Sequence, residues 1–286
     1  MTPNDFDFLR KLLRDRSGLV LSAEKQYLAE SRLLPVARRH GLASLGDLVG
    51  EVRARPAAPL SIAVVEAMTT NETFFYRDKT PFENFRDFIM PALLAARRRE
   101  KRIRIWCAAA STGQEPYSLA MTLTDMAAAT AGFRIEIIAT DLSGDVVERA
   151  KAGVYSQFEV QRGLPIQLLL KYFTQVRDSW QIAPEIRAMV QFRTLNLLND
   201  FSPLGTFDVV FCRNVLIYFD QETKIGVFNR MAGQVANDGY LVLGAAETVV
   251  GLTDTFKPVP ERRGLYMPNP AARRAGSPTK FAAARA

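Results

Sequence analysis

From residue 101 onward the chain repeats one texture: a short apolar run rich in Ile, Val and Phe, then a helix-like stretch, then another such run. The runs are RIRIWCAAA (102–110), FRIEIIATD (133–141), VQFRTLNLL (190–198), FDVVFCRN (207–214) and GYLVLGAAET (239–248). Strands separated by helices pair through crossovers, so this segment predicts an α/β fold with a mostly parallel, doubly wound sheet. One stretch breaks the alternation. Between about Tyr155 and Met189, KYFTQVRDSWQIAP reads as a small β hairpin or ribbon, so a small β subdomain is expected over about 155–190.

Upstream, residues 1–70 read as helical. Phe6, Leu9 and Leu13 fall at i, i+3 and i+7; Ser22 offers an N-cap for a second helix and Ser44 one for a third ending near Arg55. ARPAAP (54–59) marks a break, and a short helix from Ser61 to Met68 follows. After Met267 the tail PNPAARRAGSPTKFAAARA is too poor in large apolar residues to pack, so 268–286 is expected to be disordered. The expected plan is a helical domain over 1–70, a linker over 71–80 and the α/β domain over 81–267. A chain of 286 residues has room for both.

Several function classes drop out. No apolar run approaches the ~18 residues of a membrane span. The N-terminus MTPNDFDFLRKLLRDRSG mixes acids and bases through its apolar positions, unlike a signal peptide. A cytoplasmic chain without membrane insertion is expected. One histidine, His40, and two distant cysteines, Cys107 and Cys212, leave no zinc site and no serine–histidine triad, so no metal is expected. The net charge of +7 favours an acidic partner: nucleic acid, anionic lipid or an acidic protein surface.

Chemistry-bearing residues cluster where strands end. In RIWCAAASTGQEPYSLAM (104–121) a strand runs into small residues and then a helix, which lets a ligand approach the backbone. The dinucleotide fingerprint GxGxxG is absent. Glu115 suits a ligand with a cationic amino group; the alternative is a packed turn with Glu115 as a first-turn acid. Asp141 ends the second strand, 28 residues beyond Gly113, where an acid commonly takes two ribose hydroxyls. Otherwise it caps the helix starting near Ser143. FDVVFCRNVLIYFD (207–220) sets Arg213 and Asn214 just beyond a strand. With the first and fourth strands adjacent, Cys107 and Cys212 are expected close together as small buried hydrophobes. TTNETFFYRD (69–78) is the oddest stretch: Phe74, Phe75 and Tyr76 in a row match neither a helical nor a strand period.

NETFFYRD, AAASTGQEPYS, ATDLS and FCRNVLIYFD, in this order and spacing, resemble the chemotaxis receptor glutamate methyltransferases, the CheR family. The resemblance runs from the N-terminal helices to about Met267. It implies a class I S-adenosylmethionine methyltransferase domain behind a small helical domain. It also implies methyl transfer to glutamates on the cytoplasmic helices of chemoreceptors, with S-adenosylhomocysteine as product. By motif position it makes Asn71, Thr73, Arg77, Glu115, Asp141, Asn196, Leu197, Arg213 and Asn214 cofactor contacts. The decapeptide becomes a linker over the cofactor, its polar flanks touching it and some aromatics closing the pocket. Interdomain glue is the alternative for Phe74 and Phe75.

A glutamate acceptor is already ionised at neutral pH and the donor already activated, so no general base is needed. Arg77, Arg213 and Tyr218 are candidates to orient the acceptor, Tyr218 being the catalytic candidate by position. Lys25, Arg32 and Arg39 recur every seven residues and form one basic stripe on the second helix, which Pro35 interrupts. A solvated face is the commoner meaning; the resemblance favours docking to acidic receptor helices. Some relatives grip a receptor pentapeptide with a glycine-containing loop. TQVRDSWQIAP has no glycine, so tether-independent recognition is expected. A nucleic-acid methyltransferase is the main rival, but RNVLIYF stands where a Pro-Pro-aromatic motif belongs, so no nucleic acid is expected as partner. A non-catalytic cofactor sensor and a nicotinamide reductase are further rivals. A monomer is expected.

Overall fold

The structure, a computed structural model, describes residues 1–275. Four helices come first: α1 (Pro3–Ser17), α2 (Gln26–Arg39), α3 (Leu45–Ala54) and α4 (Pro59–Met68). Thr2 and Asp5 close a reciprocal capping box on α1, and Ser44 accepts from Asp47 N at 3.1 Å to cap α3. The predicted period holds: Phe6, Leu9 and Leu13 are buried with Leu33, Val36, Leu48 and Val64 in a core of their own. Ser22 leads instead into a short 3-10 turn, Ala23–Lys25, so Lys25 precedes α2. Pro35 does not break α2, which runs on to Arg39.

Beyond the linker, α5 (Thr80–Asn84) passes through a π turn into α6 (Met90–Ala96). Then β1 (Arg102–Ala108), α7 (Gln114–Asp125), β2 (Arg134–Asp141) and α8 (Gly144–Ala152) alternate. The small subdomain holds β3 (Val154–Ser156), α9 (Gln157–Gln161), α10 (Ile166–Tyr172), β4 (Phe173–Val176), β5 (Ser179–Ile182) and α11 (Pro184–Ala188). Its sheet has three strands in the order β3-β5-β4, so the expected hairpin gains an edge strand from just upstream. The chain closes with β6 (Val190–Thr194), β7 (Phe207–Cys212), α12 (Gln221–Gln234), β8 (Val235–Leu243), β9 (Phe256–Pro258), β10 (Leu265–Pro268) and α13 (Pro270–Ala275). The expected disordered tail therefore opens with strand and helix; residues 276–286 lie outside the described residues.

The main sheet has seven strands in the order β6-β2-β1-β7-β8-β10-β9. The first five run parallel, while β10 is antiparallel to both its neighbours. Strand order reverses between β1 and β7, the crevice where open α/β sheets bind ligands. One face buries Phe85, Ile89, Tyr117 and Met121; the other buries Trp106, Phe201, Val227 and Phe228. The cysteines correct one expectation. Ala108 pairs with Cys212 and Cys107 with Phe211, so the two thiols are one step out of register and point to opposite faces. They belong to separate cores, and burial pushes both thiols well up. Among the described residues no helix is long and apolar enough to cross a membrane.

Candidate active site

The cleft lies over the carboxyl ends of β1, β2, β6 and β7 and opens to solvent. The turn after β1 makes the floor. Ala109, Ser111 and Gly113 all have positive φ, folding the chain sharply into α7. A side chain on Gly113 would meet Ala150, Tyr117 and Phe192, so this glycine serves helix packing. The exposed backbone belongs to Ala109, Ala110 and Ser111, which line the cleft.

Asp141 binds this turn to the next strand. Its Oδ2 accepts from Ser111 N at 2.8 Å and its Oδ1 from Ser143 N at 3.1 Å. Ser143, not Asp141, caps α8. Burial pushes the Asp141 carboxyl up, against the pull of the backbone N–H groups of Ser143, Ser111 and Leu142.

Glu115 sits in the first turn of α7, buried, with Arg213 Nη1 donating to its Oε2 at 2.8 Å. Arg213 Nη2 also donates to Asp78 Oδ2 at 2.7 Å and to the Arg77 carbonyl at 2.8 Å. One guanidinium thus stitches α7, the linker and the loop after β7. Burial drives the Glu115 carboxyl up, while the neighbouring Arg213 charge holds it back.

The three aromatics of the linker point three ways. Phe75 is fully buried edge-on to Tyr155 and Phe173, at 5.0 and 5.5 Å between ring centroids. Phe74 lies under the guanidiniums of Arg162 and Arg77, and Tyr76 packs on Phe82. None of the three lines the cleft, so the expectation that some aromatics close it is not met; Phe75 is sunk in the core of the α/β domain instead. Positive φ at Tyr76, Asp78 and Lys79 makes this divergence possible. The polar residues Asn71, Thr73 and Arg77 do face the cleft. The Asn71 carbonyl accepts from Ser111 Oγ at 2.8 Å.

The helical domain supplies one wall, which sequence reasoning missed. Ser17 and Leu19 line the cleft, Val20 N donates to the Tyr218 carbonyl at 2.9 Å, and Arg14 pairs with Asp220 at 2.8 Å. Asn196 Nδ2 donates to the Arg16 carbonyl at 2.6 Å. The only sequence signal was Gly18, whose left-handed φ lets α1 end flush against the Phe219 ring. All ten residues expected in the pocket line this one cleft: Tyr218 and the nine predicted cofactor contacts.

The basic stripe comes apart. Lys25 and Arg39 are exposed. Arg32 is half-buried and turned inward, donating to the carbonyls of Met68 at 2.7 Å and Thr69 at 3.0 Å and to Thr70 Oγ1 at 3.1 Å. It clasps the start of the linker, and Thr69 and Thr70 line the cleft.

The donors and acceptors of such a site can complement hydroxyls, a cationic amino group and an anionic end. Asp141 and Glu115 are the buried acids. Arg77 donates to the Glu72 carbonyl at 2.9 Å, and among the described residues no carboxylate pairs with it. Residues 71–265 match the family described as "CheR methyltransferase, SAM binding domain", and residues 4–69 match "CheR methyltransferase, all-alpha domain". The chain belongs to the CheR methyltransferase family. Its sequence is 43% identical over 261 residues to chemotaxis protein methyltransferase 1 of Pseudomonas aeruginosa, covering 89% of this chain and 94% of that one. It is 43% identical over 256 residues to the chemotaxis protein methyltransferase of Vibrio parahaemolyticus (88% and 92% covered). The Escherichia coli chemotaxis protein methyltransferase is 34% identical over 256 residues (88% and 86%). The cofactor of this CheR methyltransferase is S-adenosylmethionine, and the donor set of the cleft fits it. The two matched regions meet at 69–71, where the Arg32 clasp sits.

Proposed function

We propose that this CheR methyltransferase methylates glutamate side chains on the cytoplasmic helices of chemoreceptors, giving γ-glutamyl methyl esters and S-adenosylhomocysteine. The observation that carries the reading is the composition of the cleft. It joins the acids Asp141 and Glu115, the carboxylate-free cation Arg77 and a wall from the helical domain, with no histidine. When bound, the cofactor supplies a methyl group already activated on a sulfonium.

The residues of the chain then have limited work. Asp141 takes ribose hydroxyls, Glu115 and Asn71 face the amino-acid end, and Arg77 holds its carboxylate. Thr73, Asn196, Leu197, Arg213 and Asn214 complete the pocket. The acceptor glutamate is ionised near neutral pH, so catalysis lies in aligning its oxygen and excluding water. Both Nη groups of Arg213 are taken up by Glu115, Asp78 and the Arg77 carbonyl, which leaves Tyr218 as the residue that orients the acceptor at the mouth. A carboxylate tightly paired to a guanidinium would be the poorer nucleophile. Lys25 and Arg39 are the free cations of the stripe for acidic receptor helices, acting in the cytoplasm on a monomeric enzyme. The turn joining β4 to β5 is only Arg177–Asp178, which favours recognition without a receptor tether.

The test is transfer of labelled methyl from S-adenosylmethionine to chemoreceptor-containing membranes, followed by mild base. Label released as methanol supports carboxyl esters. Cofactor binding with no base-labile label on any receptor would refute the reading and leave a sensor or another acceptor. A label on nucleic acid would favour the rival class.

A further inference from the structure

We propose that Glu247 is a positioning residue for the cleft: its carboxylate shapes the loop that carries Arg213, Asn214 and Tyr218. Glu247 lies past the end of β8 and is 8% exposed. Its Oε2 accepts from Asn214 N at 2.7 Å and Gly244 N at 2.9 Å. Its Oε1 accepts from Val215 N at 3.0 Å and Leu216 N at 2.8 Å. Four backbone donors converge on one carboxylate, three of them consecutive. Asn214 has φ 59° and Val215 φ −121°, ψ −43°, the left-then-right alternation that turns successive N–H groups into an anion-binding concavity. Here the anion is built into the chain.

The fit is close on both sides. A Cβ on Gly244 would come within 2.8 Å of Glu247 Oε2 and 3.0 Å of Asn214 Nδ2. A side chain at 244 would crowd the carboxylate and, at 3.1 Å, the Asn214 backbone nitrogen. Asn214 is a non-glycine residue in a left-handed conformation, and the carboxylate holds it there. Asn214, Val215 and Tyr218 line the cleft, whereas Glu247 does not. The carboxylate therefore acts through the loop.

The charge matters more than the shape. A glutamine at 247 has the same outline, but its amide nitrogen is a donor only. It would confront two of the four N–H groups with another N–H and leave them buried and unpaired. An aspartate keeps the acceptor set on a stem shorter by one methylene.

The experiment compares full-length wild type with E247Q and E247D. S-adenosylhomocysteine affinity is measured by calorimetry well below each melting temperature, with kcat and KM for receptor methylation alongside. E247Q is expected to keep the wild-type circular dichroism spectrum, bind the product ~10- to 100-fold more weakly and lose a similar factor in kcat. E247D is expected to fall between the two. Should E247Q fail to fold, Gly244→Ala strains the same contact from the facing loop and is expected to weaken product binding. Wild-type affinity in E247Q, or E247D no better than E247Q, would overturn the proposal, as would an affinity loss that vanishes wherever the variant is fully folded. The kinetic arm rests on the proposed activity and the affinity arm does not. If the wild type methylates no receptor, that activity fails while the affinity arm still decides the role of Glu247.

Discussion

Arg213→Met removes the guanidinium that ties Glu115 to Asp78 while keeping an apolar stem of similar reach. Asp78 has a side chain 40% exposed and can turn to water; Glu115 is buried and cannot. The orphaned Glu115 has two routes. Remaining charged without its partner costs ~3–5 kcal/mol. Taking a proton at pH 7 onto a carboxyl with an ordinary value of 4.5 costs about 1.4 kcal/mol per pH unit, or about 3.4 kcal/mol. The smaller figure is the ceiling, less what burial of Glu115 already costs the wild type, so a destabilisation of up to about 3 kcal/mol is expected at pH 7. A loss that size lowers the melting temperature by roughly 6–12 °C.

The pH dependence gives the sharper test. Burial already holds the folded-state value of Glu115 above its unfolded one, and losing Arg213 raises it further. A carboxyl raised in this way favours folding below its unfolded value and loses that contribution as pH rises through the gap. The deficit of the variant relative to wild type is therefore expected to shrink to below about 1 kcal/mol at pH 5. Urea and thermal melts of both proteins at pH 5, 6 and 7 measure it. The double change Arg213→Met with Glu115→Gln is expected to recover most of the loss at pH 7. A deficit equal at pH 5 and pH 7 would refute the reasoning.

Arg32→Ala is expected to weaken S-adenosylhomocysteine binding ~10-fold, because the clasp on Met68, Thr69 and Thr70 goes with it. Lys25→Glu with Arg39→Glu is expected to raise the KM for receptor and leave product affinity within ~2-fold; calorimetry beside methylation kinetics separates the two patterns. Gly163→Ala puts a Cβ into the Phe75 carbonyl at φ +83°, and melts should register a loss of ~2–4 kcal/mol. Tyr218→Phe is expected to lower kcat ~10-fold at unchanged product affinity, and equal activity would remove Tyr218 from the mechanism. Between pH 6 and about 9 kcat is expected to stay flat, since the acceptor is ionised throughout. A bell centred near pH 7 would reveal a proton-transferring group.

The legible parts of the site share a cause. Strands announce themselves by local composition, and polar residues just past their ends occupy the crevice of any doubly wound sheet. Glu115, Asp141, Arg213 and Asn214 could therefore be placed without knowing a single contact. The two cysteines show where this stops. Adjacent strands were foreseen, but a register offset of one residue sends Cys107 and Cys212 to opposite faces, and no local pattern encodes that offset. The seven-residue stripe failed similarly. Periodicity put Arg32 beside Arg39, yet the carbonyls that turn Arg32 inward lie more than thirty residues away in sequence.

The linker shows what those non-local ties accomplish together. Arg32 of α2 holds its start. Ser118 Oγ of α7 accepts from Tyr76 N at 3.0 Å, and Arg213 grips Arg77 O and Asp78. Arg162 pairs with Glu72, and Gly163 presses on the Phe75 carbonyl from the small subdomain. Three bodies fix ten residues, and the aromatic block is what they grip: Phe75 is sunk in one core, Phe74 is covered by two guanidiniums and Tyr76 lies on α5. The short polar side chains between those anchors are thereby turned toward the cleft. A block of three aromatics inside polar flanks is what a segment needs when it must be held on several sides and present a ligand-facing edge on the remaining one.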